Sequence, residues 1–232
     1  MRYFKIIVFT SLMLLVTWGL HIVASNPIFS LHFFDSATLN FFLNYQLSGL
    51  ILATITLLLI YVFADKIKLS YLNLNRTGKM RPSLLLNNKK EGKWETDAWD
   101  IAIIMIILIG VVSYFQTYSL GFNFSLVTIL MVFPIAASNA FVEEIIFRLS
   151  YVTMGDNEAL SPLYGILMGS IVFGFIHYWG AVPNGLFGVL LSAYLGYFLS
   201  KSIYETKGFY WAFFIHFLLD VVILMFILNV NM

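Results

Sequence analysis

The 232-residue chain has no cysteine. Disulfides, thiolate metal sites and a cysteine nucleophile are therefore excluded, and cysteine usage says nothing about redox compartment. Charge is nearly as scarce. Asp, Glu, Lys and Arg make up 11% of the residues, against about 25% in a soluble domain. The net charge of +1 leaves no basic face for phosphate, which argues against a nucleic-acid partner. Two catalytic signatures are also missing: no Gly-x-Ser-x-Gly for a serine nucleophile, and no His-Glu-x-x-His zinc-protease helix. No internal repeat or low-complexity segment is visible.

What is present is apolar surface, with 60% hydrophobic and 18% aromatic residues. Seven apolar runs approach or exceed the ~20 residues a bilayer crossing takes. They lie near 4–24, 39–64, 101–120, 125–151, 163–179, 185–203 and 209–228. The expected fold is an all-α polytopic membrane bundle of about seven transmembrane helices, eight if a re-entrant or surface helix is added. Arg2 and Lys5 precede the apolar stretch 6–24 as in a signal peptide, but the stretch is long enough to span and is read as a retained helix. The chain then divides into two N-terminal helices (1–64), a basic loop (65–100), a third helix with a short outer loop (101–124) and a four-helix core (125–228). Within the basic loop, a surface-lying helix is expected around residues 84–86.

The basic residues orient this bundle. Cytoplasmic loops are enriched in Lys and Arg. With the N-terminus inside, seven crossings place all thirteen Lys and Arg on the cytoplasmic side or at its edge, and the C-terminus outside. Pro134 is expected to kink the fourth helix ahead of the acidic doublet. Gly165, Gly169, Gly174, Gly188 and Gly196 are expected to permit close helix packing.

Outside loops and edges, few ionisable residues fall within the membrane: His21, Glu143, Glu144, Arg148, His177, His216 and Asp220. Such groups face the bundle interior and pair with one another. His21 stands alone near the outer edge and is read as structural. Glu144 and Arg148, four apart, stack on one helix face and neutralise each other. Glu143 lies about 100° round the helix. It has only Asn139 one turn away, the setting of a general base or acid rather than of a structural ion pair. His216 and Asp220 share a face of the last helix, so the acid can orient the imidazole. A carboxylate and one or two imidazoles can hold and deprotonate a water for attack on an amide carbonyl, with or without a metal.

Three motifs occur in order on separate helices: Glu143-Glu144-x-x-x-Arg148, Phe173-x-x-x-His177 and His216-x-x-x-Asp220. They resemble those of the CPBP family, the CAAX-protease and bacteriocin-processing (Abi) intramembrane proteases. The resemblance covers roughly 125–228. It implies that Glu143 activates the attacking water and His177 holds it, while His216 and Asp220 bind it or stabilise the oxyanion. Glu144, Arg148, Asn139 and Phe173 would be supporting residues. The family is usually labelled metalloprotease, which implies zinc on His177 and His216 if a metal is bound. The chain departs from the pattern at Leu149, where members often have glycine, and at Asp220, where asparagine is commoner.

The resulting expectation is a cytoplasm-facing endopeptidase of a multi-pass protein in a bacterial cell membrane, acting among membrane lipid on a membrane-associated peptide or protein. The alternatives are a non-catalytic bacteriocin-immunity or scaffolding protein of the same fold, and a proton-coupled transporter, for which no repeat is visible. One geometric difficulty remains. On these boundaries Glu143 lies roughly 12 Å, and His177 roughly 21 Å, from the inner ends of their helices. Residues 151–161 are therefore expected to fold back into the bundle.

Overall fold

The computed structural model describes residues 2–180 and 183–229. Its helices are α1 (Arg2–Val23), α2 (Ala37–Phe63), α3 (Trp94–Thr117), α4 (Leu126–Glu144), α5 (Ser150–Asn157), α6 (Pro162–Ile176), α7 (Gly185–Thr206) and α8 (Tyr210–Ile227). Seven spans among the described residues are long and apolar enough to cross a membrane. The count is seven rather than eight because α4 and α5 are one continuous rod, Leu126–Asn157. Their outward faces are apolar, as lipid requires: Leu14, Leu15 and Trp18 on α1, and Ile103, Ile104 and Ile107 on α3, are exposed.

The join between α4 and α5 is a π-turn, Ile145–Leu149, in which the Ser150 N–H bonds to the Ile145 carbonyl five residues back. Pro134 lies within α4, whose helical span runs through it, so the irregular backbone is at the acidic doublet rather than at the proline. The rod also resolves the depth difficulty, and in a different way from the one expected. Residues 151–157 continue the helix instead of folding back. Glu143 then lies roughly 21 Å from Asn157, and His177 roughly 22 Å from Pro162, at the helical rise per residue. The two side chains sit at matching depth.

Small residues let α6 approach this turn. A Cβ on Gly169 would lie 2.6 Å from the Phe147 carbonyl oxygen, and one on Gly196 would lie 2.9 Å from the Ser170 Cα. These glycines therefore pack α6 against the π-turn and α7 against α6.

The two ends of the bundle are built differently. At the end where α2 stops and α3 starts, polar clamps join the elements. Lys5 Nζ bonds Asp65 Oδ1 at 2.6 Å and Glu158 Oε1 at 2.9 Å. Asn157 Oδ1 accepts from the Lys66 N–H at 2.8 Å, and Lys207 Nζ pairs with Asp156 Oδ2 at 2.8 Å. The basic loop is a β-hairpin and not a surface helix. β1 (Lys79–Met80) pairs antiparallel with β2 (Gly92–Lys93), and Ser83 bridges Asn88, which leaves Leu84–Asn87 as the turn. The hairpin docks on α7. The Trp94 indole N–H donates to Glu205 Oε2 at 2.9 Å, Ser83 Oγ lies 2.9 Å from the Tyr197 hydroxyl, and Glu205 also pairs with buried Lys201.

At the other end, α2 extends beyond α1. Its polar residues recur every four positions and satisfy the backbone of the extended segment before it. Ser48 Oγ accepts from the Ile28 N–H, Asn44 Oδ1 from Leu31, and Asn40 Oδ1 from Phe33 and Phe34, each at 2.9 Å. A small apolar cluster of Leu39, Val132, Ile135, Ala136 and Leu224 ties α2, α4 and α8 together here.

Two outcomes test this account. Gly169→Ala should lower stability by about 1–3 kcal/mol through overpacking against the π-turn, read as a lower unfolding temperature in detergent. The Asp65 carboxyl, held by the Lys5 ammonium and the Asn157 amide, is lowered from 3.8 to about 2. Its folded value lies below the unfolded one, so its contribution is complete above about pH 4 and disappears as pH falls through about 2. Hydrogen exchange in the first turn of α1 should rise across that window. In Asp65→Asn it should already be raised at the upper end.

Candidate active site

Glu143 and Glu144 point to opposite sides of one imidazole. His216 Nδ1 lies 2.6 Å from Glu144 Oε1, and His216 Nε2 lies 3.5 Å from both Glu143 Oε2 and Asp220 Oδ1. A carboxylate only accepts, so Nδ1 donates to Glu144, which fixes the ring orientation and presents Nε2 to the other two carboxylates. The orienting acid is therefore Glu144, and not Asp220 as the spacing within α8 suggests. Glu144 also meets Arg148 Nη1 at 3.1 Å, as expected for the i,i+4 pair, and both side chains are wholly buried.

Arg148 lies inside the π-turn with its guanidinium carbon 3.5 Å from the centroid of Phe173. No hydrogen bond of good geometry reaches its nitrogens among the described residues. The Glu144 carboxylate and the Phe173 ring face thus carry its charge compensation. The Phe173 ring also contacts both histidines, with centroid distances of 4.2 Å to His177 and 5.8 Å to His216. This ring is a hub for all three cationic or imidazole groups of the site.

His177 ends α6 and begins a single 3₁₀ turn, His177–Trp179. Its Nδ1 lies 2.8 Å from the Phe173 carbonyl oxygen. A carbonyl only accepts, so Nδ1 carries the proton and Nε2 is the free nitrogen. Asn139, expected beside Glu143, instead bridges two other helices. Its Nδ2 donates to Asp220 Oδ2 at 3.0 Å, and its Oδ1 accepts from Gln46 Nε2 at 3.2 Å. Gln46 on α2 brings a fifth span to the site from outside the four-helix core. A search restricted to ionisable residues passes over it, although an amide inside an apolar helix is a comparable signal.

Glu143, His177, His216 and Asp220 line one cavity of about 470 Å³, with Asn139, Gln46 and Tyr45 on its wall. His21, read as structural, also lies on its rim, with its ring 5.7 Å from Trp179. The cavity reaches Ala24, Ser25 and Trp179 at the end of the bundle opposite the basic hairpin. The expectation of a site facing the basic end is therefore not met. The zinc that the resemblance implies needs convergent donors at bond length. Among the described residues no three His, Asp or Glu groups are so placed. The set as it stands does not fit that ion.

No curated protein and no solved structure matches the chain. Residues 123–222 match a family model, and this segment holds all three motifs and every catalytic candidate. With seven apolar spans around it, the chain is an integral, multi-pass membrane protein. That segment is similar to the Rce1-like family, described as Type II CAAX prenyl endopeptidase Rce1-like, within the CAAX-protease grouping that the motifs resemble.

Proposed function

We propose that the chain is an intramembrane endopeptidase that hydrolyses a peptide bond of a membrane-associated peptide or protein. The observation that carries this reading is the placement of Glu143. Its carboxylate faces the cavity and lies 3.5 Å from a His216 nitrogen whose partner atom is anchored on Glu144. Glu143 takes a proton from a water held by the free Nε2 of His177, and the water oxygen adds to the scissile carbonyl carbon. His216 carries a proton on both ring nitrogens in this step, one given to Glu144, and its Nε2–H donates to the oxyanion that forms. The protonated Glu143 then passes its proton to the leaving amine as the C–N bond breaks, which restores the carboxylate. Asp220, held by Asn139, keeps His216 Nε2 in place.

Glu143→Gln should keep the fold and lower processing by about 10²–10⁴-fold, the range that a general base carries. Unchanged processing at normal protein level would instead favour the non-catalytic immunity or scaffolding role. Glu144→Gln should lower kcat by about 10–100-fold, as loss of an acid orienting a histidine does. Its KM should stay constant, because Glu144 does not line the cavity. A purely structural partner of Arg148 would lower the yield of folded protein without this kcat-specific loss.

A further inference from the structure

The cavity is closed at one end and open at the other. Beneath the carboxylates and imidazoles lie Glu144, Phe147, Arg148 and Phe173, none more than 1% exposed, so among the described residues the site is packed shut towards the hairpin. At the opposite end the cavity reaches Ala24 and Ser25, just beyond α1, and Trp179, just beyond α6, and all three are exposed. The N-terminal extension of α2, pinned by Asn40, Asn44 and Ser48, supplies Phe41, Phe42 and Tyr45 to the outer wall.

The charges are arranged in the opposite sense. Of the thirteen Lys and Arg, all but Arg148 lie at the far end: in the first turn of α1, in the segment joining α2 to α3, or in and just beyond the last two turns of α7. Basic segments of membrane proteins stay in the cytoplasm. The mouth of the cavity therefore faces away from it.

We infer that this site, on the enzymatic reading proposed above, is served from the extracytoplasmic side of the membrane. Its substrate is a peptide segment that carries apolar side chains into the aromatic vestibule. A prenylated C-terminus that is made and kept in the cytoplasm meets only the closed end. The volume suits a few side chains rather than a folded domain, since pockets of about 300–1,000 Å³ hold ligands of that size.

The absence of cysteine gives a direct test, because each substitution introduces the only thiol in the chain. Ser25→Cys marks the mouth, Ser192→Cys the cavity wall and Leu84→Cys the hairpin turn. The three variants are compared in right-side-out vesicles from cells making the full chain, using a membrane-impermeant cationic thiosulfonate. Ser25→Cys and Ser192→Cys should react in sealed vesicles, and Leu84→Cys only after permeabilisation. The reverse pattern, or a Ser192→Cys thiol reached only from the hairpin side, overturns the inference. A Lys-flanked polyleucine decapeptide added outside should slow labelling of Ser192→Cys, and a Gly-Ser decapeptide should not. Equal effects of the two peptides overturn the apolar substrate class. Labelling reads access alone, so its failure is separate from that of the enzymatic reading, which Glu143→Gln decides.

Discussion

The structure depends on keeping one buried ion pair compensated. Glu144 and Arg148 are fully desolvated, and an isolated charge there would cost several kcal/mol. Glu144 discharges this by meeting two partners at once, Arg148 on its own rod and His216 on α8. Arg148 does so with Glu144 and the face of Phe173 on α6. Three spans are thereby locked around one carboxylate. Helix association in lipid lacks a hydrophobic drive between apolar faces, so an interaction of this kind fixes register as well as proximity.

The π-turn allows this lock. In a regular α-helix Glu143 and Glu144 diverge by about 100°, and Arg148 follows one turn below the second. The wider turn at Ile145–Leu149 admits the guanidinium between the rod and the Phe173 ring, while Gly169 lets α6 close over it. Such turns recur at functional sites because they re-aim side chains without ending the helix. The two glutamates then reach opposite nitrogens of one ring. One orients the imidazole from the packed side, and the other shares its cavity side with Asp220.

Much of this was legible in the sequence. Seven spans follow from apolar runs, and the candidate residues follow from asking which charges do not belong in lipid. The Glu144–Arg148 pair follows from i,i+4 spacing, and the packing glycines from their place on adjoining helices. What stayed hidden depended on contacts between spans. Spacing within α8 suggests Asp220 as the partner of His216 Nδ1, because it cannot show that Glu144 arrives from α4. Asn139 looked local to Glu143 for the same reason, yet its amide spans α2 and α8. The π-turn has no glycine or proline to announce it. The hairpin was concealed because two-residue strands have no period to detect.

The direction in which the cavity opens is not legible from the distribution of charge. Basic residues report which end of the bundle lies in the cytoplasm, and it is natural to let the site follow them. Depth along a helix is a separate quantity. Glu143 sits nearer the middle of a 32-residue rod than its inner end, and His177 lies at the outer end of a short helix. Below them the bundle is filled by Phe147, Phe173 and the buried ion pair. Above them the wall is aromatic and the helices α1 and α6 stop early, which leaves a vestibule beside the longer α2. Among the described residues, the same charges that close the bundle beneath the site thus leave its carboxylates open from the other side. For a hydrolase this arrangement has a chemical advantage. On the reading proposed above, water and peptide would reach Glu143 through one aromatic mouth, while the residues that hold His216 in place stay buried and keep their geometry.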